Sequence, residues 1–138
     1  MEQLSLFEEK KPTARKKDIY AVPVQSNAAK IVQVCFLVCE FYKTNLGVLL
    51  HPSRKKEVVQ YRNLAIWLSK KYITEVKNEL VIPIRNLELC KFFNGIDHST
   101  VYHSLNEVEW RFMYPSFRKE MEEFMIKYQT KLNNINND

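Results

Sequence analysis

Val101, Leu105, Val108 and Phe112 recur at three- and four-residue intervals, a period that fits one buried face of an α-helix and no strand. Asp97 stands just before this stripe, where a carboxylate accepts from the free amides of a first helical turn. Four more segments have the same character. The first is Ala28, Ile31, Cys35, Val38, Cys39 and Tyr42, opened by Ser26 or Asn27 and followed by Gly47. The second runs from about Lys55 to Tyr72 with Val58, Tyr61, Ala65, Leu68 and Tyr72 inside. A short third spans about Arg85 to Asn94, with the turn at Gly95. After a break at Pro115, Ser116 caps a last helix carrying Phe117, Met121, Phe124, Tyr128 and Leu132. Two glycines in 138 residues leave little material for a turn-rich β fold. The expectation is an all-α bundle of about five helices. Leu80-Val81-Ile82 is a brief extended candidate that Pro83 limits.

Residues 1–25 read as a flexible tail, 26–133 as one helical domain, and 134–138 as a frayed terminus. No apolar run reaches the roughly 18 residues of a membrane helix, and the start lacks a basic leader region. Three cysteines without ligand-like spacing read as small buried hydrophobes. A reduced, cytoplasmic and nucleoid-associated setting fits. His51, His98 and His103 lack a cysteine or carboxylate cluster at metal spacing. Gly47 and Gly95 build no phosphate loop, so neither metal, cofactor nor enzymatic activity is expected.

The net charge of +5 is concentrated. Between His51 and Lys71 stand Arg54, Lys55, Lys56, Arg62, Lys70 and Lys71 against Glu57 alone. Such a patch is either a phosphate-binding face or a solvated helix surface. His98, Ser99, Thr100 and His103 crowd the start of the Asp97-capped helix, the end that a helix-turn-helix offers to the major groove. The plainer alternative is that His98 completes the first turn and His103 is a surface histidine.

The run Asp97-His98-Ser99-Thr100-Val101-Tyr102-His103 resembles the start of the recognition helix in the C-terminal DNA-binding domain of the bacterial replication initiator DnaA, of form Asp-His-[Ser/Thr]-Thr-Val-x-His. A second block, Ser53-Arg54 with Arg62-Asn63 eight positions on, resembles the family's basic loop and Arg-Gln pair. The resemblance covers roughly residues 52–112. It implies a Trp-repressor-like helix-turn-helix that binds double-stranded DNA. Arg54 then enters a minor groove or forks onto a phosphate. Lys55, Lys56 and Arg62, with Asn63 beside it, hold the backbone. His98, Ser99, Thr100 and His103 reach base edges or phosphates, and Asp97 is the cap rather than a reader. Three positions depart from the family: Ile96 and Glu107 stand where it has basic residues, and Asn63 where it has Gln. Residues 74–83 look like an insertion.

Gln3-Leu4-Ser5-Leu6-Phe7 resembles the short peptide by which bacterial replication proteins bind the sliding clamp. Burial of Leu4, Leu6 and Phe7 at about 1.5–3 kcal/mol each, less the cost of ordering, implies micromolar affinity. The plainer alternative is packing on the chain's own surface. Together the two resemblances imply a sequence-specific DNA-binding protein of replication initiation or its regulation, recruited to the clamp. The alternative is a protein-interaction factor that binds the clamp or another replication protein without reading bases.

Overall fold

The computed structural model describes residues 27–137. Its elements are α1 (Asn27–Tyr42), α2 (Leu46–Leu50), α3 (Lys56–Tyr72), β1 (Thr74–Lys77), β2 (Leu80–Pro83), α4 (Asn86–Phe92), α5 (His98–Arg111) and α6 (Pro115–Asn133). The helical reading holds, with two additions. Residues after Asn45 form a short helix rather than a loop, and residues 74–83 form a hairpin.

Helix α3 is the axis of the fold. Residues 63–69 are buried without a break, the signature of a helix covered all round rather than on one stripe. Helices α1 and α5 both pack on it. Tyr61 and Tyr72, expected inside, are only half-buried at its two ends. Helix α1 contributes Ile31, Val34, Cys35 and Val38 to the core, while Ala28 is exposed. Helix α6 contributes Phe117, Met121, Phe124, Tyr128 and Leu132, the stripe its periodicity predicts. Cys35, Cys39 and Cys90 are free thiols in the interior.

The chain reverses after α1 at Lys43, not at glycine. Lys43 is left-handed (φ 58°), and Thr44 N–H donates to Cys39 O at 2.9 Å, closing a glycine-type stop with a lysine. Gly47 lies instead inside α2, whose cap is Asn45: its Oδ1 accepts from Val48 N at 2.9 Å. A Cβ on Gly47 would come within 3.2 Å of that oxygen.

In the hairpin, Lys77 pairs with Leu80 across Asn78 and Glu79. Both central residues have positive φ (52° and 66°), as a two-residue type I′ turn requires. Pro83 sits at the end of β2 opposite Thr74, where a missing N–H is tolerated. The base of the hairpin is fixed to α3. Ile84 N–H donates to Ile73 O at 2.9 Å, and Lys70 Nζ to Ile84 O at 2.7 Å.

Two terminal expectations are corrected. Pro115 is the first residue of α6, not a break before it, because its ring sets φ for helix and its missing N–H is one the first turn does not use; Ser116 therefore lies within the helix. Residues 134–137 are not frayed. Ile135 is 3% exposed. Asn136 clamps the end of α3, donating to Tyr72 O at 2.8 Å and accepting from Thr74 N at 3.0 Å. The segments 1–25 and Gln3–Phe7 lie outside the described residues.

Candidate nucleic-acid interface

Helices α4 and α5 form the helix-turn-helix. Helix α4 stops as Gly95 N–H reaches back to Cys90 O at 2.8 Å. The turn needs two consecutive left-handed residues, Asn94 (φ 64°) and Gly95 (φ 74°). Asp97 then caps α5: its Oδ1 accepts from Thr100 N at 2.9 Å, Ser99 Oγ at 2.7 Å and Thr100 Oγ1 at 3.0 Å. The Ser99 hydroxyl, the Thr100 amide and the Thr100 hydroxyl hold this carboxyl below the usual carboxylate range.

The cap changes what two expected readers can do. The hydroxyl protons of Ser99 and Thr100 are committed to Asp97. Their remaining capacity is to accept, and Thr100 also presents a methyl group. Val101, Ser104 and Val108 anchor the inner face of α5. His98, Ser99, Thr100 and His103 are all exposed. Tyr102, which the sequence reads as surface packing, and Asn106, which it does not single out, are exposed too, and lie three or four residues from these side chains on the same side of the helix. That spacing was the available signal.

The basic loop is built by side-chain bonds to main chain. Arg62, on the first half of α3, donates from Nε to Leu49 O at 3.2 Å. Its Nη2 donates to His51 O at 3.2 Å and to Ser53 O at 2.9 Å. It thus occupies the carbonyl end of α2 and the start of the loop. Burial lowers its pKa, yet a guanidinium keeps its charge. Ser53 Oγ accepts from Lys55 N at 3.1 Å. Arg54, Lys55 and Lys56 are left exposed. Across the site, Asn94 Nδ2 donates to Leu50 O at 3.3 Å. The turn that launches α5 is therefore tied to the residue beside those Arg62 holds, and the loop lies beside the start of α5.

The remaining sequence candidates separate from this group. Asn63 is 9% exposed, packed within the covered part of α3, so the expectation that it contacts DNA is corrected. Arg62 has three of its five N–H donors, from Nε and Nη2, on carbonyls. Lys70 and Lys71 lie 14 and 15 residues beyond Lys56 on the same helix, roughly 22 Å away at 1.5 Å per residue. Lys70 is bonded to Ile84 O, and Lys71 sits over the Trp67 ring at 5.3 Å. The continuous basic run of the sequence is thus two sites at opposite ends of α3.

Residues 31–108 match the family described as the bacterial dnaA protein helix-turn-helix. The chain belongs to that family. The match runs from within α1 to most of α5, more than the 52–112 stretch that carries the sequence resemblance. The fold it names is one that binds DNA rather than one that catalyses. Chromosomal replication initiator proteins DnaA are similar as well. That of Bacteroides thetaiotaomicron is 29% identical over 100 residues, covering 72% of this chain and 19% of the relative. That of Bacteroides fragilis is 27% identical over 117 residues, covering 84% and 22%. That of Thermomicrobium roseum is 30% identical over 76 residues, covering 55% and 14%. The chain thus spans 14–22% of the length of these relatives. No solved structure matches. Among the described residues no helix is long and apolar enough to cross a membrane.

Proposed function

We propose that this chain docks on duplex DNA, reading it with the amino end of α5 and gripping its backbone with Arg54 and Lys55 of the loop and Lys56 at the start of α3, in replication initiation or its regulation. The observation that carries this reading is the Asn94–Leu50 tie, which sets the exposed loop cations beside the Asp97-capped helix. Arg54 enters a groove or forks onto a phosphate, and Lys55 and Lys56 hold phosphates. His98 and His103 bond to base edges or phosphates; Ser99 and Thr100 accept from base amines, and the Thr100 methyl meets thymine. Asp97 acts as the cap that presents them. A protein acting this way resides with the nucleoid.

Selection of bound duplexes from a random pool tests this reading. Enrichment of one short motif, with salt-sensitive binding lost on Arg54→Ala or His98→Ala, is the expected result. A pool that stays random after selection, bound equally by both variants, removes it.

The finer part of the proposal is recruitment to the sliding clamp through Gln3, Leu4, Ser5, Leu6 and Phe7. Two weak attachments to one DNA-bound assembly reinforce each other through effective concentration. Leu6→Ala with Phe7→Ala should abolish retention on immobilised clamp; retention of that double variant removes the clamp from the account.

A second reading, capture of another replication protein by the helical domain, is favoured by one feature. Val76, Leu80 and Val81 of the hairpin are 65–72% exposed, at the end of α3 remote from the basic loop. DNA binding unchanged in both α5 and loop variants, together with capture of a replication protein, would decide for it.

A further inference from the structure

Arg62 and Asn94 meet the chain at neighbouring main-chain carbonyls. Arg62 spreads its fork over Leu49 O, His51 O and Ser53 O. Asn94 takes Leu50 O, from the helix-turn-helix turn. The four carbonyls of residues 49, 50, 51 and 53 are the last residues of α2 and the first of the loop. Loop residues have no ladder of their own, so these bonds fix the path by which Arg54, Lys55 and Lys56 emerge. Three carbonyls at different angles need a planar guanidinium with several fixed donors; an ammonium point charge cannot satisfy them together. Asn94 serves twice, since the left-handed conformation that the turn requires also aims its amide at the loop.

We infer that Arg62 and Asn94 are positioning residues, which set the basic loop in register with the reading helix and do not themselves hold DNA. The inference rests on the DNA-docking reading above and deepens it: the geometry of the loop, and not its charge alone, selects the duplex.

The test separates charge from position. The probe is a labelled duplex taken from the random-pool selection with the wild-type chain. Arg62→Lys keeps the net charge and the helix former. A phosphate-holding Arg62 would pass that role to lysine, and both affinity and salt dependence would survive. A positioning Arg62 would not: affinity should fall tenfold or more, and the log–log salt dependence should flatten although no charge has been removed. The flattening follows because displaced loop cations no longer release counterions. In an Arg54→Ala/Lys55→Ala/Lys56→Ala background the same Arg62→Lys change should then alter affinity by less than twofold, since there is no loop charge left to position.

Arg62→Lys binding within threefold of wild type, an unflattened salt dependence, or a further loss in the loop-neutral background each overturns the inference. Asn94→Gly repeats the test without touching α3. Glycine keeps the left-handed turn and removes only the amide, so the same loss and flattening are expected, and wild-type binding by Asn94→Gly overturns the inference even if Arg62→Lys fails to fold. Failure of the wild-type chain to enrich any duplex would instead strike the parent reading, which distinguishes the two.

Discussion

The salt dependence of duplex binding turns the structure into a number that the sequence alone would get wrong. Six cations stand between His51 and Lys71. If each held a phosphate, the affinity would fall with a log–log slope of about −5.4, at about 0.9 per contact. A fourfold rise in salt, from about 50 to 200 mM, would then cost roughly 2,000-fold. The structure leaves three of the six exposed beside the start of α5: Arg54, Lys55 and Lys56 are exposed, Arg62 bonds three carbonyls through Nε and Nη2, and Lys70 and Lys71 lie at the far end of α3. Three contacts contribute a slope of about −2.7, or about 40-fold over the same range. The perturbation is therefore a pair of matched variants. Arg54→Ala/Lys55→Ala/Lys56→Ala should flatten the measured slope by about 2.7. Lys70→Ala/Lys71→Ala should leave it unchanged although it removes nearly as much charge. Fluorescence anisotropy of a short labelled duplex, titrated at several salt concentrations, reads both. Equal flattening by the two variants would mean that the basic run acts as one diffuse patch, and the division of α3 into two ends would be wrong.

Three further outcomes are expected. Gly95→Ala should lower stability by about 1 kcal/mol in urea titration, because a Cβ there meets nothing within 4 Å and only the left-handed backbone (φ 74°) resists it; no loss would mean the turn has another conformation. Asn136→Ala leaves Tyr72 O and Thr74 N without their partner and should cost about 1–3 kcal/mol, with faster hydrogen exchange at Thr74 and unchanged DNA affinity; wild-type exchange there would undo the terminal clamp. The bonds from Ser99 and Thr100 lower the native pKa of Asp97, so the unfolded chain takes up that proton first. The cap's contribution is whole above about pH 4 and is lost as the pH falls through the lower native value. Asp97→Asn should remove that part of the acid destabilisation; acid melting curves of identical shape for both proteins would contradict it.

Amphipathic elements announce themselves in a sequence, and the others do not. Helices α5 and α6 each bury one face, so Val101 and Val108, or Phe117 to Leu132, stand at helical spacing among polar residues. The Asp97 cap is equally legible, since donor and acceptor are three residues apart. Helix α3 is covered all round, which erases the contrast between faces; Asn63 therefore reads as a surface residue when it is an interior one. The hairpin turn Asn78-Glu79 lacks the glycine that usually marks a type I′ turn, and Lys43 takes a left-handed position where glycine is the expected stop. Asn136 and Arg62 carry the longest lesson. Their partners are backbone carbonyls and amides 9 to 64 residues away, and a carbonyl has no sequence identity to read. The exposed cations of a binding loop can be counted in a sequence, but the residue that holds the loop is visible only in the fold.

Helix α3 also explains how one short chain keeps two surfaces independent. Its first turns meet the basic loop through Arg62, and its last turns meet the hairpin through Lys70 and the terminal clamp through Tyr72. Between them lie seven buried positions, 63–69, packed against α1 and α5. Glu75 adds a local lock, accepting from Arg85 N at 2.8 Å and pairing with its guanidinium at 3.2 Å. The hairpin is thereby fastened to the start of α4 as well as to α3, upstream of the turn at Asn94. The exposed Val76 and Val81 are therefore linked to the turn at Asn94 through α4 as well as through α3. A substitution at Val76 should leave the duplex affinity where it was, unless it also dislodges Arg85.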